Sequence, residues 1–515
     1  MHSIARNIRQ LSVAHGRQFT TTRTLARDAI KNGLVVGMFA SHKLFNSEQI
    51  PQAVQDKILQ EAQAQGNKAD AGSVQLVLSP DLTQHIAVVG LGNESANMSE
   101  IVRTAVANGI KQLKAKNIAN INIAAMPCAH ASGEAAALAA YSFTAFKTQK
   151  AEEQPPSISS ADAEEWNTGR VYAEAQNFAR ELMATPANFM TPTIFARRVR
   201  DELGSLPNTK VNVYDEQWAR EQRMGGLIAV SQGSDEPLRF VEIAYQGRPG
   251  PVSLALVGKG ITFDTGGYSL KLGKNMDLMK GDMGGGATVV AAMRAIAQLR
   301  LPINAVATVP LCENMVSGRA TKVSDVYTSR AGLTVEVMNT DAEGRIVLAD
   351  ALHYTVEAHQ PQSIVDVATL TGAMVVALGE LYTGVFTPSP SLWQHIDSAG
   401  AATDEPVWRM PLHDRWDAML KSSIADLSNI GCKGEAGACT AAAFLRQFVD
   451  GPRLTPPAVM REQNNDESIP RWAHLDIAGP MEASTSEGYH HQGMSGRPTR
   501  LLIELAKQLS AEKLI

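Results

Sequence analysis

The sequence contains few cysteines, no long apolar run and no excess of positive charge. Its 515 residues include four cysteines without a C-x-x-C pair, which argues against a disulfide framework and a thiolate zinc site. No stretch reaches the roughly 18 consecutive apolar residues that a membrane-spanning helix needs, so we expect no membrane partner. Lysine and arginine number 47 against 52 aspartates and glutamates, and this net charge of −5 argues against nucleic acid as a partner.

Three catalytic signatures are also missing. No G-x-x-x-x-G-K-[ST] segment is present, which argues against a phosphate-binding P-loop. No G-x-S-x-G segment is present either, which argues against the nucleophile elbow of a serine hydrolase. The pattern H-E-x-x-H is absent too, so a zinc-binding helix of the zincin type is not expected.

The first 28 residues differ in composition from the rest of the chain. They contain five arginines, several serines and threonines, and no acidic residue before Asp28. Ile4, Ile8 and Leu11 fall on one face of a helix, which gives the amphipathic character of a mitochondrial transit peptide. We therefore predict a transit peptide at residues 1–28 and a location in the mitochondrial matrix; the alternative is a basic tail on a cytoplasmic protein.

The remaining sequence alternates short apolar strands with helical patterns, which predicts an α/β protein of two domains. A polar stretch at 147–162 separates them and is followed by a helical pattern from Ala163 to about Ala184. We expect a smaller N-terminal α/β domain at 33–165, a linking helix at 166–190 and a larger catalytic domain at 191–515. In the larger domain, apolar strands such as Ser363 to Ala368 alternate with helical patterns such as Ala287 to Leu299. This order favours a mostly parallel, doubly wound sheet, whose active site lies at the carboxyl ends of the strands.

Two polar clusters interrupt the otherwise core-like sequence of the larger domain. Lys259, Asp264 and Asp282 lie in a glycine-rich segment that follows an apolar strand. Asp341 and Glu343 lie between a strand-like segment at 333–338 and a helix-like segment at 346–357, where an extended chain would present both carboxylates on one side. Carboxylates gathered in a cleft either take up protons or hold cations. These four offer enough oxygens for a pair of divalent metals about 3.5 to 4 Å apart.

The octapeptide Asn339-Thr-Asp-Ala-Glu-Gly-Arg-Ile346 resembles the signature of the leucyl aminopeptidase family, also called the cytosol aminopeptidase family. The segment from Lys259 to Met283 resembles the other half of that family's metal site. The resemblance runs from Asn177 to the C-terminus and includes four further motifs in the family's order: Leu182-Met-Ala-Thr-Pro-Ala-Asn188, Ala368-Thr-Leu-Thr-Gly-Ala-Met374, Ala473-His-Leu-Asp-Ile-Ala-Gly479 and Gly493-Met-Ser-Gly-Arg-Pro498.

The resemblance implies a site for two divalent metal ions. Asp264 and Glu343 would bridge both ions, Lys259 and Asp282 would complete the tighter site, and Asp341 would complete the more exchangeable one. Zinc is the family's usual metal, with manganese, magnesium or cobalt accepted in the exchangeable site. Lysine must be uncharged to act as a ligand, and two adjacent divalent cations favour its neutral form.

The resemblance also implies the reaction, which is release of N-terminal residues, preferentially Leu and other apolar ones, from peptide substrates. A water that bridges the metals would attack the peptide carbonyl, and Lys271 would stabilise the oxyanion that forms. Arg345 would hold a bicarbonate that relays the proton. The apolar pocket for the substrate side chain maps onto Met279, Thr369, Gly372, Ala478 and Met481, with a backbone contact from Leu370.

The family pattern further implies a homohexamer. A catalytically inactive hexamer that keeps the fold is the alternative function, but drift to such a protein should have eroded Lys271 and Arg345. DNA binding, which some bacterial relatives show, does not fit the charge of the mature chain. The sequence departs from the usual family pattern outside the ligands, at Thr265, Gly281, Val323-Ser324 and Ile346, where rate and substrate preference would be affected.

Overall fold

The computed structural model describes residues 30–148, 155–160, 163–431, 434–449 and 470–512. The predicted transit peptide at 1–28 therefore lies outside the described residues.

The N-terminal part of the chain forms a five-stranded sheet with helices packed on it. The strands are β1 (Asn32–Phe39), β2 (Val74–Leu78), β3 (Gln84–Gly92), β4 (Asn120–Ile123) and β5 (Ser157–Ser160), and the helices are α1 (Gln52–Ala64), α2 (Ser99–Lys114) and α3 (Ala129–Ala140). The order across the sheet is β2-β3-β1-β4-β5, and all neighbours are parallel except β2 and β3. The last strand, β5, lies within the polar stretch that separates the two predicted domains.

Beyond this unit, helices and strands alternate along the chain. The helices are α4 (Ala163–Ala184), α5 (Pro192–Leu203), α6 (Glu216–Glu221), α7 (Gly225–Ser231), α8 (Gly284–Gln298), α9 (Gly344–His359), α10 (Gly372–Leu378), α11 (Pro390–Thr403), α12 (Arg415–Met419), α13 (Gly437–Arg446) and α14 (Thr499–Ala511). Short 3₁₀ helices occupy Ser47–Gln49, Ala187–Phe189 and Met276–Gly281.

The strands of this second part are β6 (Thr209–Tyr214), β7 (Arg239–Gln246), β8 (Leu254–Gly258), β9 (Gly260–Asp264), β10 (Asn304–Asn314), β11 (Val326–Thr328), β12 (Thr334–Glu336), β13 (Ser363–Ala368), β14 (Thr383–Phe386), β15 (Val407–Arg409), β16 (Leu427–Ser428), β17 (Arg471–Asp476), β18 (Glu482–Ala483) and β19 (Gly493–Met494). The large sheet has the order β15-β14-β17-β13-β8-β10-β7-β6, with β9 also paired to β10. Its centre, β17-β13-β8-β10, is parallel, and antiparallel strands flank it on both sides.

Apolar side chains on both faces of the central strands explain why this sheet is covered on both sides. Leu254 and Leu256 of β8 belong to one core cluster, with α4, α8 and α14, whereas Ala255 and Val257 belong to another, with α9 and α13. A parallel sheet buried on both faces is the expected arrangement for such strands. The predicted α/β class with a mostly parallel sheet is confirmed. No helix among the described residues combines the length and the apolar character needed to cross a membrane.

The carboxyl ends of the central strands meet at one edge of the sheet. Asp264 ends β9, Asn314 ends β10, and Asp476 ends β17. Thr369 directly follows the last residue of β13. All four of these side chains are buried, so this edge is a polar region enclosed by the protein.

Candidate metal centre

The side chain of Lys259 enters the site because the strand is interrupted at that residue. β8 and β9 both pair with β10, and Lys259 lies between them. Its backbone N–H donates to Val367 O at 3.0 Å, and its carbonyl accepts from Gly286 N at 2.7 Å. The residue is therefore fixed between β13 and the start of α8, with a side chain that is 3% exposed.

Two glycines make room for this arrangement. A Cβ atom at Gly285 would lie 1.9 Å from Val367 O, so only glycine lets α8 approach β13 this closely. A Cβ atom at Gly344 would lie 2.5 Å from Cε and 2.8 Å from Nζ of Lys259. The glycine at the start of α9 thus leaves the space that the lysine side chain fills.

Lys259 contacts carboxylates from both sequence clusters. Its Nζ lies 2.7 Å from Asp282 Oδ2 and 2.9 Å from Glu343 Oε1. It also donates to Thr369 O at 3.1 Å. Asp282 is held in turn by Thr369, whose hydroxyl donates to Asp282 Oδ1 at 2.7 Å. The lysine nitrogen points into the carboxylate cluster and not away from it.

A second lysine closes the cluster on its more open side. Lys271 Nζ lies 2.8 Å from Asp264 Oδ2 and forms a shorter ion pair with Asp341 Oδ1. The Lys271 side chain is 23% exposed, against 3% for Lys259. All five predicted metal ligands, together with Lys271, therefore lie in one connected group of side chains.

Three carboxylates of this group lie close enough to share one ion. Single oxygens of Asp264, Asp341 and Glu343 all lie within 4.8 Å of one another. Asp341 and Glu343 do not lie in an extended chain as the sequence suggested. Asp341 lies in a turn, and Glu343 has helical backbone angles (φ −78°, ψ −34°) at the N-cap of α9.

Burial disfavours the charged form of three carboxyl groups in the cluster and so raises their pKa. Burial and the neighbouring Asp264 raise the pKa of Glu343 to about 8, although Lys259 opposes the change. Burial raises the pKa of Asp282 to about 6, again against the effect of Lys259. Burial and Asp264 likewise raise the pKa of Asp341. For both lysines, burial alone would lower the pKa, but the surrounding carboxylates reverse that effect and raise it.

The donor set fits a pair of divalent cations. Glu343 Oε2 is buried and accepts no hydrogen bond from any residue that the structure describes. A buried carboxylate oxygen without a donor is costly unless a cation or a proton satisfies it. Four carboxylates and one amine form a ligand set of several oxygens and a single nitrogen. Such a set suits zinc, manganese or magnesium. In the chain without metal, the two ammonium groups supply the positive charge that such ions would bring.

Asn314 is a site residue that sequence reasoning missed. Its Nδ2 donates to Asp264 Oδ1 at 2.8 Å and to Thr340 O at 3.0 Å. Asp264 Oδ1 also accepts from Gly266 N at 2.8 Å. These bonds orient the carboxylate toward the cluster. One feature of the sequence could have identified Asn314: it is an asparagine at the end of an apolar strand. That strand pairs with the strand that ends at Asp264.

Arg345 is the second residue of α9 and is buried. Its Nη1 donates to Asn429 O at 3.1 Å, and its Nε has no hydrogen-bond partner among the described residues. Burial lowers the pKa of Arg345 to about 10, with Glu343 and Asp476 acting in the opposite direction. The side chain remains a buried cation next to the carboxylate cluster.

The predicted pocket residues come from three segments around the cluster. Met279 lies in the 3₁₀ helix that leads to Asp282, and Thr369 contacts Asp282 directly. Leu370 and Ala478 donate backbone N–H bonds to Asp476 Oδ1 at 3.2 and 3.1 Å. Gly372 begins α10 and is exposed.

Met481 lies close to Gly281, because a Cβ atom at that glycine would be 2.8 Å from Met481 Cε. The structure therefore brings Thr369 and Met481 to the two ends of the segment 281–284, beside the metal centre.

Comparison with known proteins adds a family assignment to this geometry. The model of the cytosol aminopeptidase family's catalytic domain matches residues 177–503, and that of the family's N-terminal domain matches residues 35–150. The cytosol aminopeptidase of Xenopus tropicalis is 41% identical over 510 residues, which cover 94% of each chain. The cytosol aminopeptidase of Homo sapiens is 40% identical over 528 residues, which cover 98% of this chain and 97% of the human one.

Two solved structures have the same fold as this chain. The bottromycin maturation enzyme BotP superimposes with a TM-score of 0.80 at 31% identity, covering 93% of this chain and 99% of BotP. Its complex with Mn gives a TM-score of 0.80 at 32% identity, covering 94% of this chain and 100% of that one.

Proposed function

The chain belongs to the cytosol aminopeptidase family and is a hydrolase, and we propose that it is a metal-dependent aminopeptidase that releases Leu and other apolar residues from the N-termini of peptides. The observation that carries this proposal is the convergence of Lys259, Asp264, Asp282, Asp341 and Glu343 in one buried cluster. These residues come from segments that lie far apart in the sequence. A structural role alone gives no reason to gather four carboxylates where burial disfavours their charge.

Two divalent ions would be held by this cluster. Asp264 and Glu343 would bridge them, Lys259 and Asp282 would complete the tighter site, and Asp341 the exchangeable one. The unsatisfied Glu343 Oε2 supports the bridging role. The higher exposure of the Asp341 side chain, 33% against 6% for Asp282, supports exchange at that end. Zinc is the proposed resident metal, with manganese or magnesium in the exchangeable site.

When bound, the two ions would lower the pKa of a coordinated water and polarise the scissile carbonyl group. The protein's own groups would then complete the reaction. Lys271 brings a positively charged side chain to the cluster, 2.8 Å from Asp264 Oδ2. Its ammonium would be placed to stabilise negative charge on the carbonyl oxygen of the substrate.

Arg345 would hold a bicarbonate that accepts and passes on the proton. Two features support this role: the guanidinium is buried, and its Nε lacks a partner among the described residues. The side-chain pocket would be formed by Met279, Thr369, Leu370, Gly372, Ala478 and Met481. Methionine side chains suit such a pocket because their flexible thioethers adapt to different apolar shapes.

We further propose the domain limits 33–165, 166–190 and 191–515, a homohexameric assembly and a location in the mitochondrial matrix. The five arginines and the lack of any acidic residue before Asp28 support the location. A cytoplasmic location is the alternative. The domain limits are supported by the order of elements in the sequence, because the strands of the small sheet precede the linking helix and those of the large sheet follow it.

The test is hydrolysis of leucyl amide by protein that has been stripped of metal and then loaded with zinc or manganese. We expect turnover only after loading. Lys271→Met should lower kcat about 10²- to 10³-fold, since it removes one group that stabilises the oxyanion. Lys274→Met removes an exposed lysine from the same loop and is the matched control. Absence of turnover with either metal would contradict the proposal.

A further inference from the structure

Two methionine side chains lie against Gly281: Met481, which belongs to the proposed substrate pocket, and Met494. A Cβ atom at Gly281 would lie 2.6 Å from Cε and 2.7 Å from Sδ of Met494, and 2.8 Å from Cε of Met481. Both methionines are 8% exposed. The thioether ends therefore fill the space that any larger residue at position 281 would need.

The backbone on both sides of this contact is fixed. Glu482 of β18 pairs with Met494 of β19, and Ser495 N donates to Met481 O at 2.9 Å. Gly281 ends the 3₁₀ helix directly before Asp282, which is held by Lys259. Because neither backbone segment is free to shift, the methionine side chains must absorb a change of volume at position 281.

The other end of the segment 281–284 shows the same kind of packing. A Cβ atom at Gly284 would lie 2.9 Å from Met183 Cε and 3.2 Å from Cγ2 of the pocket residue Thr369. Met183 is fully buried. A glycine packed against a methionine thus occurs at each end of the segment, so flexible thioethers lie against both ends.

We propose that Gly281 and Met494 together set the depth of the substrate pocket, which makes Met494 a specificity-determining residue. This inference rests on the proposed aminopeptidase function. Because position 281 has no side chain, the Met494 thioether occupies the space above Gly281 and leaves room in the pocket for a large apolar side chain. Alanine at position 281 would displace both thioethers toward the pocket and make the pocket shallower.

The size of the effect follows from the distances. Carbon atoms in contact lie about 3.5 Å apart. A methyl group at position 281 therefore displaces the ends of Met481 and Met494 by about 0.7 to 0.9 Å, starting from 2.8 and 2.6 Å. A methylene's worth of space in an apolar pocket changes discrimination by about 10- to 200-fold. We expect the ratio of kcat/KM for phenylalanyl amide to that for alanyl amide to fall about tenfold.

The experiment measures kcat/KM of the metal-loaded protein for alanyl, leucyl and phenylalanyl amides. The variants are Gly281→Ala, Met494→Ala and the double variant. Gly318→Ala is the control, because a Cβ atom there meets nothing within 4 Å. Should Met494→Ala fail to fold, Met494→Leu keeps most of the volume and removes the thioether. Metal content and thermal unfolding are recorded for every variant.

We expect Gly281→Ala to lose activity on the phenylalanyl substrate selectively, and the double variant to recover most of the wild-type ratio. An equal loss on all three substrates would place the effect at Asp282 and overturn the inference. Failure of the Met494 change to restore the ratio would also overturn it. An active wild type with either of these results leaves the proposed function intact, whereas an inactive metal-loaded wild type overturns both.

Discussion

Replacement of Gly344 by alanine should damage the metal centre without unfolding the protein. The added Cβ would lie 2.5 Å from Cε and 2.8 Å from Nζ of Lys259. Because carbon atoms in contact lie about 3.5 Å apart, the lysine side chain must move by about 1 Å. Gly285 and Val367 leave the Lys259 backbone no room to follow, so the displacement falls on the amine.

The expected consequence is loss of metal affinity and of rate. A shift of about 1 Å in a catalytic group costs about 10²-fold in rate. Alanine is a better helix former than glycine by about 0.5 to 1 kcal/mol. Its backbone angles are allowed at this position, so the variant should still fold. The assay combines metal content by mass spectrometry, kcat on leucyl amide and thermal unfolding, with Gly318→Ala as the control. A Gly344→Ala protein that binds two metals and turns over at the wild-type rate would show that the position of the Lys259 amine does not depend on this glycine.

Two further predictions concern stability. Burial disfavours the charged form of Glu242, but hydrogen bonds, first of all from His359, lower its pKa from 4.5 to about 2. The resulting stabilisation, about 3 kcal/mol, is present above about pH 4.5 and is lost as the pH falls toward 2. In denaturant titrations the stability difference between the wild type and Glu242→Gln should therefore shrink below pH 4.5, and a difference independent of pH would contradict this. Ser324 has φ +72° and donates to Glu336 Oε1 at 2.9 Å; Ser324→Ala should destabilise the protein by about 1 kcal/mol, since it loses the bond and keeps the strain. Ser324→Gly loses the bond but also the strain, so an unfolding temperature below that of the alanine variant would count against the argument.

Long regular elements could be predicted from the sequence because their side-chain periodicity is strong. The helix Ala163–Ala184 and the strand Ser363–Ala368 have the bounds that the pattern indicates. The helix expected from Ala287 begins at Gly284 instead. Three consecutive glycines oppose a helix in isolation, but a Cβ atom would meet Met183 at Gly284, Val367 O at Gly285 and Val309 at Gly286, so close packing favours all three.

Short and polar elements could not be predicted, because tertiary contacts determine them. The strand expected over 333–338 contains only Thr334–Glu336, and the serine-rich β5 gains its strand structure from pairing with β4. The proposed metal ligands were identified because the sequence motifs resemble those of the leucyl aminopeptidase family. The interruption of the strand at Lys259, which aims its side chain at the carboxylates, depends on hydrogen bonds to distant residues and is not visible in any local pattern.

One amine and four carboxylates of this chain are proposed to hold two cations. Anomalous diffraction from crystals of the zinc- or manganese-loaded protein would locate these ions. We expect two peaks per chain, both in contact with Asp264 and Glu343, one near Lys259 Nζ and the other near Asp341. A single peak outside this cluster, or a Lys259 amine that stays paired with Asp282 and Glu343 in the presence of excess metal, would contradict the account.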